Sequence, residues 1–323
     1  MAATPSPVQL DTGGDARPQM VVDLKGRVVV SYAVMVGDKY VGRIMVAHST
    51  DGGATFSRPS PISDNAASQR FITLALDSTG AILAVWIDKR HVVDAERAGR
   101  PFPGASLAFA WSTDGGRTFG PARIAHDNLC ECCRLGVVFR GPKKPAVLFR
   151  NIFDGERDHA ILTLGADGAA EPVGRVSDDH WAIDACPHHG PSLAIAPDGA
   201  QHVAWFSGGG QRRGLFYARS LDGGRTFSAP MPVGATNRQP ARPYVLASGD
   251  QLWLAWKEFD GERSTIHAMI SRDGGRNWSA PRLVAGTDNF SDHPLLIARN
   301  GQVFLSWLTR IEGYRVVPLE PKS

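Results

Sequence analysis

Short apolar runs split by a polar, glycine-bearing turn recur six times along this chain. They occupy residues 18–32, 71–86, 134–149, 191–205, 243–256 and 294–307. Runs this short, bounded by turn residues, predict paired β-strands rather than helices. The turn glycines Gly26, Gly80, Gly141, Gly199, Gly249 and Gly301 recur every 50 to 61 residues. Trp86, Trp205, Trp256 and Trp307 close the second run in four of the segments. The same large side chain at the same place predicts core packing before any platform for a ligand. Each segment is therefore expected to be an inner hairpin with two largely buried strands.

A polar octapeptide follows four of these hairpins: 49–56 (STDGGATF), 112–119 (STDGGRTF), 220–227 (SLDGGRTF) and 271–278 (SRDGGRNW). Its aspartates lie 63, 108 and 51 residues apart, the middle interval spanning two periods. Asp followed by two glycines predicts a tight turn, because glycine takes positive φ without steric cost and the carboxylate caps backbone N–H groups. The closing aromatic, Phe56, Phe119, Phe227 or Trp278, is expected to point inward between adjacent sheets. Because every copy occupies the same turn, these aspartates are expected to be scaffold and not catalysts. In the third period Gly165-Ala166-Asp167-Gly168 takes the place of the octapeptide.

Six inner hairpins, each with an outer pair of strands, predict an all-β, six-bladed propeller with four-stranded antiparallel blades. Residues 1–323 form one domain on this reading. The stretch 314–319 supplies only a third strand to the last blade. Residues 7–10 (PVQL) resemble the strand that follows each octapeptide and are expected to complete that blade, removing a free sheet edge.

Composition narrows the partners. The 323 residues are 43% hydrophobic, enough for a large core, and their apolar runs are strand-sized, so none is expected to span a membrane. Thirty-five basic and 32 acidic residues are interspersed, giving a net charge of +3 and no case for nucleic acid. Met1-Ala2-Ala3 runs straight into the expected closing strand, as in a mature protein whose signal peptide has been removed. A periplasmic or secreted setting is the expectation.

The octapeptides match the Asp-box, or bacterial neuraminidase repeat, and nearly the whole chain resembles the sialidase-like six-bladed propellers. That resemblance implies a fold that hosts sialidases, other glycosidases, lyases and non-catalytic binders. Sialidases hold a sugar carboxylate with three arginines and use a Tyr nucleophile paired with Glu, plus an Asp acid. Here Arg17-Pro18 looks like the first arginine segment with one residue deleted. Arg70 and Arg242, with Arg238 nearby, open other inner strands, and forked guanidinium groups suit a carboxylate. Tyr314 with Glu258 is the nearest approach to a Tyr–Glu pair, and Asp38 fits the acid by position alone. The resemblance thus leaves sialidase-type catalysis without a recognisable motif.

The chain's unusual feature is Cys130-Glu131-Cys132-Cys133 before the third inner hairpin, matched by Cys186-Pro187-His188-His189 before the fourth. These are all the cysteines. His293 opens the sixth hairpin in the corresponding slot, and Trp181 lies upstream on the same approach as the fourth. Two chemistries are open. Four cysteines in an exported chain can form a disulfide framework, with three possible pairings. Alternatively, Cys130, Cys132, Cys133, Cys186, His188, His189 and His293 supply thiolate and imidazole donors, which select copper first and zinc second. The function expected is binding of a small molecule or sugar acid, a metal ion, or both, with Arg17, Arg70, Arg242, His189, His293 and Trp181 as ligand contacts. The alternative is a sialidase-like glycoside hydrolase acting on a carboxylate-bearing sugar.

Overall fold

The computed structural model describes residues 9–36, 41–102 and 104–320. Each predicted inner hairpin is present, and each is joined by outer strands into an antiparallel sheet whose order follows the chain. The first sheet is β1 (Gln19–Val22), β2 (Val28–Val36), β3 (Val41–Ser49) and β4 (Ser60–Pro61). The second is β5 (Gln69–Leu76), β6 (Ile82–Asp88), β7 (Ala105–Ser112) and β8 (Arg123–Leu129), with helix α1 (Arg90–Arg97) between β6 and β7. The third is β9 (Gly136–Phe139), β10 (Pro145–Arg150), β11 (His159–Thr163) and β12 (Gly174–Arg175).

The fourth sheet is β13 (Ser192–Ile195), β14 (Gln201–Gly208), β15 (Arg213–Ser220) and β16 (Met231–Val233). The fifth is β17 (Ala241–Ser248), β18 (Gln251–Phe259), β19 (Ser264–Ser271) and β20 (Arg282–Thr287). The sixth has three strands among the described residues: β21 (Leu295–Arg299), β22 (Gln302–Thr309) and β23 (Gly313–Pro318). Six sheets of this pattern make the chain an all-β, six-bladed β-propeller. It divides into two compact units. One comprises the described residues of Met1–Leu135 with Gly141–Lys144 and Leu164–Ala170; the other comprises Gly136–Arg140, Pro145–Thr163 and those of Glu171–Ser323.

In the first unit the core lies between the first two sheets. Val29, Ile44 and Val46 meet Ile72, Leu74, Ile82 and Trp86, with Phe119 packed against them. In the second unit, Trp205, Trp256 and Trp307 anchor three successive clusters at 0–1% exposure, with Phe227 and Trp278 at their edges. The tryptophan repeat is thus core, as its spacing predicts. Phe56 departs from its repeat: it is 46% exposed and closes no gap.

The octapeptide turns are alike in detail. Ser49 and Ser112 each donate Oγ–H to the following aspartate and accept an amide N–H two residues beyond it, at Gly53 and Gly116. Thr55 and Thr118 close the turn by donating both N–H and O–H to that carboxylate. The Thr55 bonds, hydroxyl first, hold Asp51 down at about 2. Burial opposes the same effect at Asp114, but the Thr118 and Ser112 bonds outweigh it and leave that carboxyl also at about 2. At Gly116 and Gly275 the second glycine is needed for packing as well as for φ. A Cβ on Gly116 would come within 2.3 Å of Val29, and one on Gly275 within 1.9 Å of the Tyr217 hydroxyl. Arginines of neighbouring sheets reach three of the outer turns: Arg27 the Asp114 carbonyl, Arg123 that of Asp167, and Arg219 that of Gly274.

The N-terminal segment differs from expectation. Pro7 and Val8 lie outside the described residues, but Leu10 bridges Val34 of the first sheet, and Asp11 N–H donates to the Ala33 carbonyl. The described part of the segment therefore continues the line of β1 beside β2. Strand β2 is long enough to offer that edge, since β1 covers only Val28–Ser31 of it.

Candidate functional site

In the first unit β8 ends at Leu129 and the chain turns through Cys130-Glu131-Cys132-Cys133 before β9 begins. Asn128, in a left-handed conformation (φ 66°), sets the direction of entry. Three ties hold this turn. Glu131 pairs with Lys89, Arg134 reaches Asp15 at 3.4 Å, and the Leu135 carbonyl accepts the Thr73 hydroxyl at 3.2 Å. The result is three sulfurs facing one another. The Sγ atoms of Cys130, Cys132 and Cys133 all lie within 4.8 Å of each other, and each residue is 1–2% exposed. Cys130 and Cys132 are 3.6 Å apart. Hydrogen bonds with Cys130 and Cys133, reinforced by burial, push the Cys132 thiol far above its ordinary value.

None of the four cysteines is in a disulfide. The structure thus shows no bridge of the disulfide framework expected from the even cysteine count. A contact of 3.6 Å is far from the roughly 2.05 Å of a covalent bridge.

Arg17 and Arg70 both have partners within this unit. Arg17 Nε donates to the Gly14 carbonyl at 3.0 Å. Arg70 Nε binds the Asp11 carboxylate at 2.6 Å, while its guanidinium lies 4.8 Å over the Phe71 ring. Strand β5 bulges there, with Phe71 at φ 56°. Lys89 and Arg90 are paired as well: Lys89 with Glu131, and Arg90 through two bonds with buried Asp88. Asp38 falls outside the described residues.

In the second unit Cys186 and His188 are exposed on the segment before β13. His189 is half-buried and stacks on Phe206, ring centres 4.0 Å apart. Trp181 is buried at 9% exposure. Its ring is covered by the Arg150 guanidinium at 4.6 Å and meets Phe206 edge-on. The glycine run after Phe206 makes room for it, since a Cβ on Gly208 would strike the Trp181 ring at 2.6 Å.

Arg150 is a residue that sequence reasoning passed over. It is 2% exposed, donates to the carbonyls of Arg157, His189 and Phe206, and pairs with no carboxylate among the described residues. Its place at the end of β10, where other sheets put Asp88 or Glu258 near the strand end, was its one legible signal.

A second group in this unit gathers at the start of β17 and the approach to β21. Arg242 sits in a bulge at φ 58°, the counterpart of Phe71 in the second sheet. Lys257 donates to Ser291 Oγ at 2.7 Å; burial, then the Arg242 charge, pull its ammonium down, against a smaller upward pull from Asp292. His293 follows directly, its N–H bonded to Asp292. Arg242 and Asp292 thus both lie within electrostatic reach of Lys257, and His293 is the residue next to that acid.

The Tyr–Glu pairing considered from the sequence is not made. Tyr314 is 64% exposed on β23 and bonds Ser306 at 3.0 Å. Glu258 is buried, accepting from the Trp256 indole at 2.8 Å and the Ala235 amide at 3.1 Å.

No protein-family model matches this chain. No curated protein matches it either. Solved structures do. A Dyadobacter fermentans protein of unknown function aligns over 96% of this chain and 94% of its own at 16% identity, with a TM-score of 0.61. The Hadza microbial sialidase Hz136 aligns over 94% of this chain at 17% identity and TM-score 0.62, and the chain spans 65% of that sialidase. The leech intramolecular trans-sialidase aligns over 98% of this chain and 68% of its own at 14% identity, TM-score 0.60. At such identities the likeness is one of fold, and it is the sialidase-like six-bladed propeller that the Asp-boxes indicate.

Proposed function

We propose that this propeller binds a soft metal ion, copper(I) before zinc, through Cys130, Cys132 and Cys133. The observation that carries the proposal is the mutual approach of three buried sulfurs with no disulfide among them. Thiolates select Cu(I) and zinc over hard cations. Burial makes a lone thiolate costly, and an ion that displaces the protons removes that cost and adds its binding free energy to folding. The turn that carries the sulfurs is held within by the Lys89–Glu131 pair and at its end by the Arg134–Asp15 pair, so little ordering remains for the ion to impose. Cys186, His188, His189 and His293 are the further donors that the sequence spacing proposes. A periplasmic or secreted setting belongs to the same proposal, and fractionation of the native host tests it. No helix among the described residues is long and apolar enough to cross a membrane.

The test is anaerobic competition for Cu(I) against bicinchoninate with the reduced, untagged protein. One ion per chain is expected, and Cys132→Ser with Cys133→Ser should abolish its retention. A Cys186→Ser, His188→Ala variant that binds as tightly as the parent confines the ion to the three thiols. Copper and zinc both failing to bind would overturn the proposal.

A second reading concerns a small anion, such as a sugar acid, held by Arg242, Lys257 and His293. It is favoured by the Arg242 charge beside Lys257, whose ammonium is pulled down by burial first and by that charge second. Arg17, Arg70, His189 and Trp181 stay in the proposed ligand set on sequence grounds. Fluorogenic sialosides serve both as ligands and as substrates. Binding without turnover, weakened in Arg242→Ala, is expected; turnover lost in the same variant would instead establish a sialidase-like glycoside hydrolase.

A further inference from the structure

The indole N–H of the core tryptophan is bonded to a carboxylate in three sheets. Trp86 donates to Asp88, Trp205 to Asp179 and Trp256 to Glu258, at 3.1, 2.7 and 2.8 Å. Two of these buried acids are neutralised by an arginine. Arg90 grips Asp88 with two bonds, and Arg212 reaches Asp179 at 3.2 Å. Glu258, at 3% exposure, pairs with no arginine among the described residues; besides the indole and the Ala235 amide, its polar partner there is His267, 3.4 Å from Oε2. A buried carboxylate without a strong counter-ion is costly.

Glu258 also differs in what it faces. It lines a cavity of about 560 Å³ with Trp256, His267, Met231, Met269 and Trp278, a volume ordinary for a small-molecule site. His267 lies nearly parallel to the Trp256 ring, 5.8 Å away. The Trp278 indole nitrogen is buried and makes no hydrogen bond among the described residues. This is the octapeptide position that carries Phe in the other three copies. Arg238 is exposed on the same lining, and the only carboxylate its charge is seen to act on among the described residues is the exposed Asp260.

We infer that this cavity is a binding site for a small amino carboxylate. The ligand's ammonium supplies the cation that Glu258 lacks, its carboxylate takes the Arg238 guanidinium, and an apolar body rests against Met231, Met269 and Trp278. The donor and acceptor are opposite in charge and share one lining, which a zwitterion matches and a simple amine or simple acid matches by half. The thiol cluster plays no part in this site.

Isothermal titration calorimetry of the full chain against the individual L-amino acids tests it, with leucine, its deaminated acid and its decarboxylated amine as one matched set. At least one apolar amino acid should bind, and its acid and amine partners should bind at least tenfold more weakly. Glu258→Gln keeps an acceptor for the Trp256 indole and should weaken binding at least tenfold. Arg238→Ala, at an exposed position, should do the same without touching the fold. Absence of binding across the amino acids would overturn the inference. So would an amine that binds as well as its amino acid, or affinity unchanged in both variants.

Discussion

His202 is fully buried on β14, and its Nδ1 is hydrogen-bonded with the Tyr217 hydroxyl at 2.7 Å. Burial brings the imidazole down from 6.5 to about 4. The folded state thus prefers the neutral ring, so the contribution is complete above pH 6.5 and is lost as pH falls from 6.5 toward 4. A shift of this size corresponds to roughly 3 kcal/mol. Urea denaturation at pH 7.5 and pH 4.5 should show that loss, and His202→Gln should flatten it. Trp205→Phe is expected to cost about 1–3 kcal/mol by leaving Asp179 short of a donor in a buried site, read as a fall in the urea midpoint. The sequence made the tryptophans and cysteines visible because both are rare and repeat in register. It did not make their partners visible. Asp179 lies 26 positions from Trp205 in the chain, and Arg150 has no charged neighbour to announce it.

At the scale of the element, the octapeptide is legible because every part of it is local. Ser, Asp and Thr close the turn within eight residues, and the glycines supply positive φ. What the second glycine does against the next sheet is not local. Gly275→Ala must both hold φ 76° and displace the Tyr217 hydroxyl, so a destabilisation above about 1 kcal/mol is expected. Tyr217→Phe removes the obstructing atom, and a double-mutant cycle should show the two substitutions to be coupled rather than additive. Independent effects would mean that the backbone strain alone decides. The bulges of β5 and β17 were hidden for a related reason. They place Phe71 and Arg242 at positive φ, which neither residue type favours, and only the surrounding sheet imposes it. Likewise, the N-terminal segment has the pattern of an outer strand, yet Leu10 pairs where β2 leaves an edge open.

Across the whole chain, six periods of apolar hairpin and polar turn dictate six sheets, and a fold built from repeats is readable from one copy of its unit. Function is not repeated and so is less readable. The propeller carries unlike chemistry at different blades: thiols before the third sheet, a cavity with Glu258 on its lining between the fourth and fifth, and Lys257 beside Arg242 on the fifth. Metal binding should also raise thermal stability, since an ion held by the folded chain and not the unfolded one shifts the equilibrium by mass action. A transition that rises by several degrees with one equivalent of Cu(I), and not in Cys132→Ser, is expected in differential scanning calorimetry. X-ray absorption at the copper edge of the Cu(I)-loaded protein tests the central claim most directly. The account predicts a first coordination shell dominated by sulfur; a shell of nitrogen and oxygen alone would contradict it.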